Sequence, residues 1–350
     1  MSALAPLVLE PLEKELIWGG HALVERYGKN AARDATIGES WECYDANRIA
    51  GGPFANRTVA ELRATLGAEL MGAVDSARPF PLLTKIIDAR APLSVQVHPG
   101  DAYAQRVEKQ PVGKTESWYI LEAEPGAKIV LGWNRDTSRE EYLERVRDGS
   151  LGELLREVAV KPGDVYHLPA GTMHAIGAGI VLFETQQTSD LTYRIFDYNR
   201  LGADGKPRAL HVDKAADVLN YRASTGGSLS PLAYTLDGLV RTTLVADVNF
   251  TVERVELAAD RCELDLDGMP LVVFALDRPV ELEAHGTSIR LAPYQSALVP
   301  AGLDTVMCSA LETTGAMLTA APPHDRYLLE RRFGRAGVPV DRSTSFLAQF

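Results

Sequence analysis

Three cysteines, seven histidines and a shortage of positive charge are what this chain of 350 residues has little of. Cys43, Cys262 and Cys308 are odd in number, widely spaced and in no paired motif. That argues against a disulfide framework and fits a reducing cytoplasm. Lys and Arg number 36 against 47 Asp and Glu, a net charge of −11. Nucleic acid or an anionic membrane demands clustered positive charge, so neither is expected as a partner, although a local basic pocket for a small anion remains open. No window approaches the ~18 uninterrupted apolar residues of a membrane-spanning helix. The first twenty residues have no basic stretch ahead of an apolar run, and Glu10 and Glu13 interrupt them, so no signal peptide is expected. What remains, 46% apolar and 24% charged residues, is ordinary for a globular protein long enough for two domains.

The histidines are placed informatively. Gln96-Val97-His98, Gly113-Lys114-Thr115-Glu116 and Pro169-Ala170-Gly171-Thr172-Met173-His174 lie within one hundred residues. Residues two apart on a strand share a face, so Gln96 and His98 project into one cavity. With Glu116 and His174 they form a set of nitrogen and oxygen ligands without sulfur. Such a set suits one divalent ion, zinc first, with manganese, iron or cobalt compatible by ligand type. Two neutral imidazoles, an amide and one carboxylate leave that ion about one uncompensated positive charge, suited to a developing oxyanion.

Short runs rich in β-formers recur around these motifs: Leu83–Ala89, Leu93–His98, Ser117–Leu121, Lys128–Trp133, Val165–Leu168 and Ile180–Thr185. Pro-Gly and Gly-rich turns separate them. Two segments read as helices. Thr58-Val59-Ala60-Glu61 has the form of a capping box, followed by Val59, Leu62, Leu66 and Leu70 at helical spacing. Ser138-Arg139-Glu140-Glu141 opens the second. From about Leu239 the pattern is short strands alone: Thr251–Leu257, Leu271–Ala275, Val280–Ala284, Thr287–Leu291, Ser296–Val299 and Ala316–Thr319. His285 and His324 are the histidines there, so no metal is expected in this part. The reading is a mostly β chain with a metal-binding domain over residues 1–235, a second β domain over 236–322, and a solvated tail or short helix over 323–350. A flexible joint is expected near Ser224–Ser230.

The spacing Gly163-x5-Pro169-x-Gly171-x2-His174 resembles the second motif of cupin double-sheet barrels. The first cupin motif usually reads His-x-His, and here Gln96 stands in place of its first histidine, with Glu116 lying 18 residues past His98. Together with Trp18-Gly19-Gly20, Ile37-Gly38-Glu39-Ser40-Trp41-Glu42, Leu93 to Pro99, Gly113 to Tyr119 and Ser189 to Tyr198, the chain resembles the type I phosphomannose isomerase family. The resemblance implies two cupin (jelly-roll) sandwiches, with a few helices packed on the first and the metal only in the first. It implies an aldose–ketose isomerase acting on a small sugar phosphate through an enediolate, as a monomer or homodimer. It makes Arg194 catalytic, with a permanently cationic fork suited to an enediolate or a phosphate. It also carries Asp190 and Lys114 into the active site and Ser94 and Lys85 into contact with phosphate or sugar. Asp190 or a water on the metal is the candidate base, and the sequence ranks neither. A non-catalytic sugar-phosphate sensor, another cupin enzyme and an isomerase of unphosphorylated sugar are the competing readings.

Overall fold

The structure, a computed structural model, describes residues 4–29, 32, 34–202, 205–323 and 326–350. It is mostly β, and the chain divides into two compact units. One comprises Met1–Leu12, Trp41–Thr84 and Ser230–Phe350; the other comprises Glu13–Ser40 and Lys85–Leu229. The expected single boundary near residue 235 is replaced by an interleaved division, of which the passage at Leu229 is only the last crossing. Local patterning marks a strand without recording which sheet it joins. Strand Leu7–Glu10, for example, pairs with Ser296–Val299 far along the chain.

The unit holding Lys85–Leu229 is a sandwich of two sheets. In one, the order is Val165–Leu168, Glu116–Ala123, Ile180–Gln187, Leu82–Ala89, Ile37–Cys43, Leu12–Gly20. In the other it is Tyr193–Phe196, Val95–Val97, His174–Ile176, Lys128–Trp133, Leu155–Ala159. Trp118, Ile120 and Leu182 from the first sheet pack with Ile129, Leu131 and Ile176 from the second. The outer face of the second sheet has its own core. There Val95, Val97, Ala175, Tyr193 and Ile195 meet Tyr142 of helix Arg139–Asp148 and Ala215 and Ala216 of helix Val212–Val218. Alternation then dictates the inner face: Gln96, His174 and Arg194 sit between or before these outward residues and turn inward. Helix Arg139–Asp148 starts where expected, with Ser138 Oγ accepting the Glu141 N–H at 3.2 Å.

The other unit is a second sandwich, of an eight-stranded and a four-stranded sheet. Val255, Val273 and Met317 pack with Leu282, Leu291 and Val306 between them. The expected helices are not confined to the metal-binding domain. Thr58 and Glu61 do form the reciprocal capping box, and their helix Val59–Leu66 belongs to this second unit. It stops at Gly67, whose φ of +53° leaves helical space, and Leu70 falls in a separate turn, Ala68–Met71. The expected tail is also corrected. Arg326–Arg335 and Val340–Leu347 are helices that bury Leu329, Phe333, Phe346 and Leu347 against Leu232, Tyr234 and Leu236. The arginine content of this segment masks the i, i+4 apolar pair Leu329 and Phe333. His324 lies outside the described residues. Among the described residues no helix is long and apolar enough to cross a membrane. The cysteines are free, although Cys262 and Cys308 stand opposite one another on paired strands.

Candidate active site

Register brings the site together. His174 is the cross-strand partner of Gln96, and Arg194 is the partner of Gln96 on its other side. Directly opposed residues share a face, so the three side chains form a row inside the sandwich. His98 follows the end of its strand, two residues beyond Gln96. Glu116 opens the facing strand, between Leu168 and Gln186. A tight backbone junction holds the three motifs in place. Gly171, at φ +88°, donates its N–H to His98 O at 2.9 Å. Gly113 lies so close to the Pro99–Gly100 backbone that a Cβ there would come within 2.3 Å of Pro99 O. Beside it, Lys114 N–H donates to Pro99 O at 3.0 Å and Thr115 N–H to Gln187 Oε1 at 2.8 Å.

The ligating atoms of His98, Glu116 and His174 all lie within 4.8 Å of one another, and the three residues are buried. Both imidazoles are oriented from behind: His98 Nδ1 donates to Leu191 O at 2.8 Å and His174 Nδ1 to Thr172 O at 2.9 Å. That fixes the tautomer and turns each Nε2 lone pair toward Glu116, at 3.3 and 3.2 Å from its two oxygens. Gln96 reaches the same point, its amide 3.3 Å from His174 Nε2. Burial, then the Lys114 ammonium, pushes the His98 imidazolium down to about 3, and burial lowers His174 as well. Both rings are therefore neutral donors at pH 7. Burial alone would raise Glu116, but its neighbours, the Lys114 ammonium first, outweigh it and hold the carboxyl well below the usual carboxylate range. Two neutral imidazoles and a buried carboxylate converging on one point are a donor set made for a cation. The Lys114 ammonium already responds to it, 2.7 Å from Glu116 and 3.1 Å from His98 Nε2. The residues present fit a divalent ion.

The other expected residues divide. Ser94 is buried and its Oγ lies 3.4 Å from Gln96 Oε1. Lys85 is buried too, 3.2 Å from Glu184 and 3.5 Å from Glu39. Burial opposes its charge, and Glu184, Glu39 and Glu116 together outweigh that and keep it protonated. Arg194 is half-buried. Its Nη1 donates to Ala209 O at 3.1 Å, while its buried Nε has no hydrogen-bond partner among the described residues. Asp190 is exposed on the loop before Tyr193, outside the ligand cluster and without a polar contact among the described residues. Its neighbour Leu191 supplies the carbonyl that orients His98. Trp18 is core, packed with Trp118 and Leu182.

Sequence reasoning missed Glu184. Its carboxylate takes the Trp118 indole N–H at 2.8 Å and lies 3.8 Å from Lys114. Burial, then Glu116, pushes it above its ordinary value. The signal was available: a glutamate two residues after Leu182 in an apolar run must share that side chain's inward face. Asp197 is buried and gripped by both Arg200 and Arg208.

Comparison with known proteins bears on the family of the chain. The model of the type I phosphomannose isomerase catalytic domain matches residues 7–126. The mannose-6-phosphate isomerase ManA of Bacillus subtilis (strain 168) is 41% identical over 263 residues, covering 72% of this chain and 80% of that protein. The mannose-6-phosphate isomerase of Streptococcus mutans serotype c is 39% identical over 257 residues, covering 72% and 79%. The crystal structure of the mannose 6-phosphate isomerase from Bacillus subtilis superposes with a TM-score of 0.83 at 32% identity, over 90% of this chain and 99% of that one. This chain belongs to the type I phosphomannose isomerase family.

Proposed function

We propose that the chain is a metal-dependent isomerase that interconverts mannose 6-phosphate and fructose 6-phosphate through an enediolate. The observation that carries this is the convergence of buried His98, Glu116 and His174 with Gln96, with the Lys114 ammonium beside Glu116. Gln96, His98, Glu116 and His174 hold one divalent ion, which we assign as zinc. Bound there, the ion supplies Lewis-acid charge for the oxygens that become anionic. The chain's own residues do the rest. Arg194 presents its uncommitted guanidinium nitrogen from the same strand row as Gln96 and steadies the charge spread over O1 and O2. Lys114 adds a second cation beside Glu116, while Lys85 and Ser94 meet the sugar or its phosphate. Asp190, on the exposed loop, is one candidate for the proton-transferring base and a water on the metal is the other. Free cysteines support a cytoplasmic setting.

An enediolate leaves an isotopic record. Turnover of fructose 6-phosphate in D2O should place deuterium at C2 of the mannose 6-phosphate formed, read by mass spectrometry or proton NMR. Product free of deuterium after many turnovers would indicate a hydride shift and remove the enediolate from this account.

A further inference from the structure

Ala209 and His211, beyond strand Tyr193–Phe196, are fastened to Arg194 at three points. His211 N–H donates to Arg194 O at 2.7 Å, and Arg194 N–H donates to His211 Nδ1 at 3.1 Å. Ala209 O accepts from Arg194 Nη1 at 3.1 Å. One residue before Ala209, Arg208 grips Asp197, its Nε 2.6 Å from Oδ2 and its Nη2 2.5 Å from Oδ1. Arg200 shares the same carboxylate, with Nη2 2.5 Å from Oδ1, and its Nη1 donates to Pro92 O at 2.5 Å. Asp197 is 4% exposed and three residues past Arg194. Two guanidinium groups thus share one carboxylate, and all three groups act electrostatically on Arg194. Without Asp197, Arg200 and Arg208 would repel each other and Arg194, and the base of segment 208–211 would lose its tie to the strand. Ala209 and His211, immediately beyond Arg208, are the groups that aim Arg194.

We propose that Asp197 is a positioning residue for the isomerase reaction: through Arg208 and segment 208–211 it fixes the direction of the Arg194 guanidinium. The inference rests on the catalytic reading of Arg194. Asp197 touches no substrate in this scheme, and its effect passes wholly through Arg194. A guanidinium displaced by about 1 Å loses much of its stabilisation of the developing charge while ground-state binding is largely kept. The loss therefore falls on kcat.

The test is a double-mutant cycle on the full-length, metal-loaded protein, with metal content and a melting curve recorded for each variant. Arg194→Ala should lower kcat by ~10²–10³, the usual cost of one preorganised donor. Asp197→Asn should lower kcat about tenfold, with KM within about twofold and metal content unchanged. Introduced into Arg194→Ala, Asp197→Asn should cost nothing further in kcat, because the group it aims is gone. A second tenfold loss in that background would show Asp197 acting independently and overturn the proposal, as would wild-type kcat in the single Asp197→Asn variant. If Arg194→Ala itself keeps wild-type kcat, the catalytic reading of Arg194 falls and the proposal falls with it, a different result from either of those. Should Asp197→Asn fail to fold, Arg208→Gln carries the same cycle. It should lower kcat about threefold alone and not at all beside Arg194→Ala; independent losses there also overturn the proposal.

Discussion

Glu116→Gln should empty the metal centre and abolish turnover together, with the fold retained. Glu116 is the only anion in the ligand set; its Oε2 faces His98 and Lys114 and its Oε1 faces His174. Glutamine keeps the volume but removes the charge that offsets a divalent ion's desolvation. It also leaves the Lys114 ammonium facing that ion with a single neighbouring carboxylate, Glu184, at 3.8 Å. Elemental analysis should fall from about one ion per chain to near zero. The loss of Lewis-acid stabilisation, several kcal/mol, corresponds to ~10³ or more in kcat. His98→Ala and His174→Ala should behave alike. Full metal occupancy in Glu116→Gln would dismantle the ligand assignment.

The second large effect lies far from the chemistry. Glu253→Gln should destabilise the sandwich that contains it by about 3–5 kcal/mol, the usual cost of breaking a buried ion pair from one side. Glu253 is buried, ion-paired to Arg241 and to Arg332 from helix Arg326–Arg335, and accepts from Tyr234 at 2.7 Å and Thr243 at 2.8 Å. Removing the carboxylate strands the buried Arg241 guanidinium and leaves Arg332 with Asp267 alone. Burial raises this carboxyl, but Arg241 and then Arg332 outweigh it, so its folded value lies far below the ordinary one. A depressed carboxyl contributes stability that is complete above its unfolded pKa of ~4.3 and is lost as pH falls toward the folded value. Wild-type melting temperature should therefore drop on acidification below about pH 4–5, and Glu253→Gln should show a shallower drop from a lower start. Identical melting curves for the two proteins at pH 7 would show that the network contributes nothing.

Much of the site is legible in the sequence because it depends on local geometry. Gln96 lies between two outward valines, and His174 is two residues before Ile176, so period-two alternation alone sends them inward. Gly171 signals a turn that only a positive φ closes. What depends on distant pairing is not legible. Glu184 matters because Trp118 and Lys85 stand beside it, and neither is near it in the chain. Asp190 matches a motif, yet its side chain is exposed, and the backbone carbonyl next to it does the orienting. The interleaved units arise from pairings such as Leu7 with Leu298, which no window of sequence contains. The terminal helices are hidden because their arginines read as a solvated segment, whereas Arg332 is buried against Glu253 and Asp267.

The central claim is that this site isomerises a sugar phosphate with the help of its metal. An assay coupling fructose 6-phosphate formation to a reporter enzyme, run with mannose 6-phosphate and with free mannose on native, chelated and zinc-reloaded protein, tests it most directly. Native protein should turn over mannose 6-phosphate, lose that activity after exhaustive chelation and recover it on adding zinc, with free mannose turned over at most weakly when its own ketose product is followed. Full activity after chelation, or preference for free mannose, would contradict it.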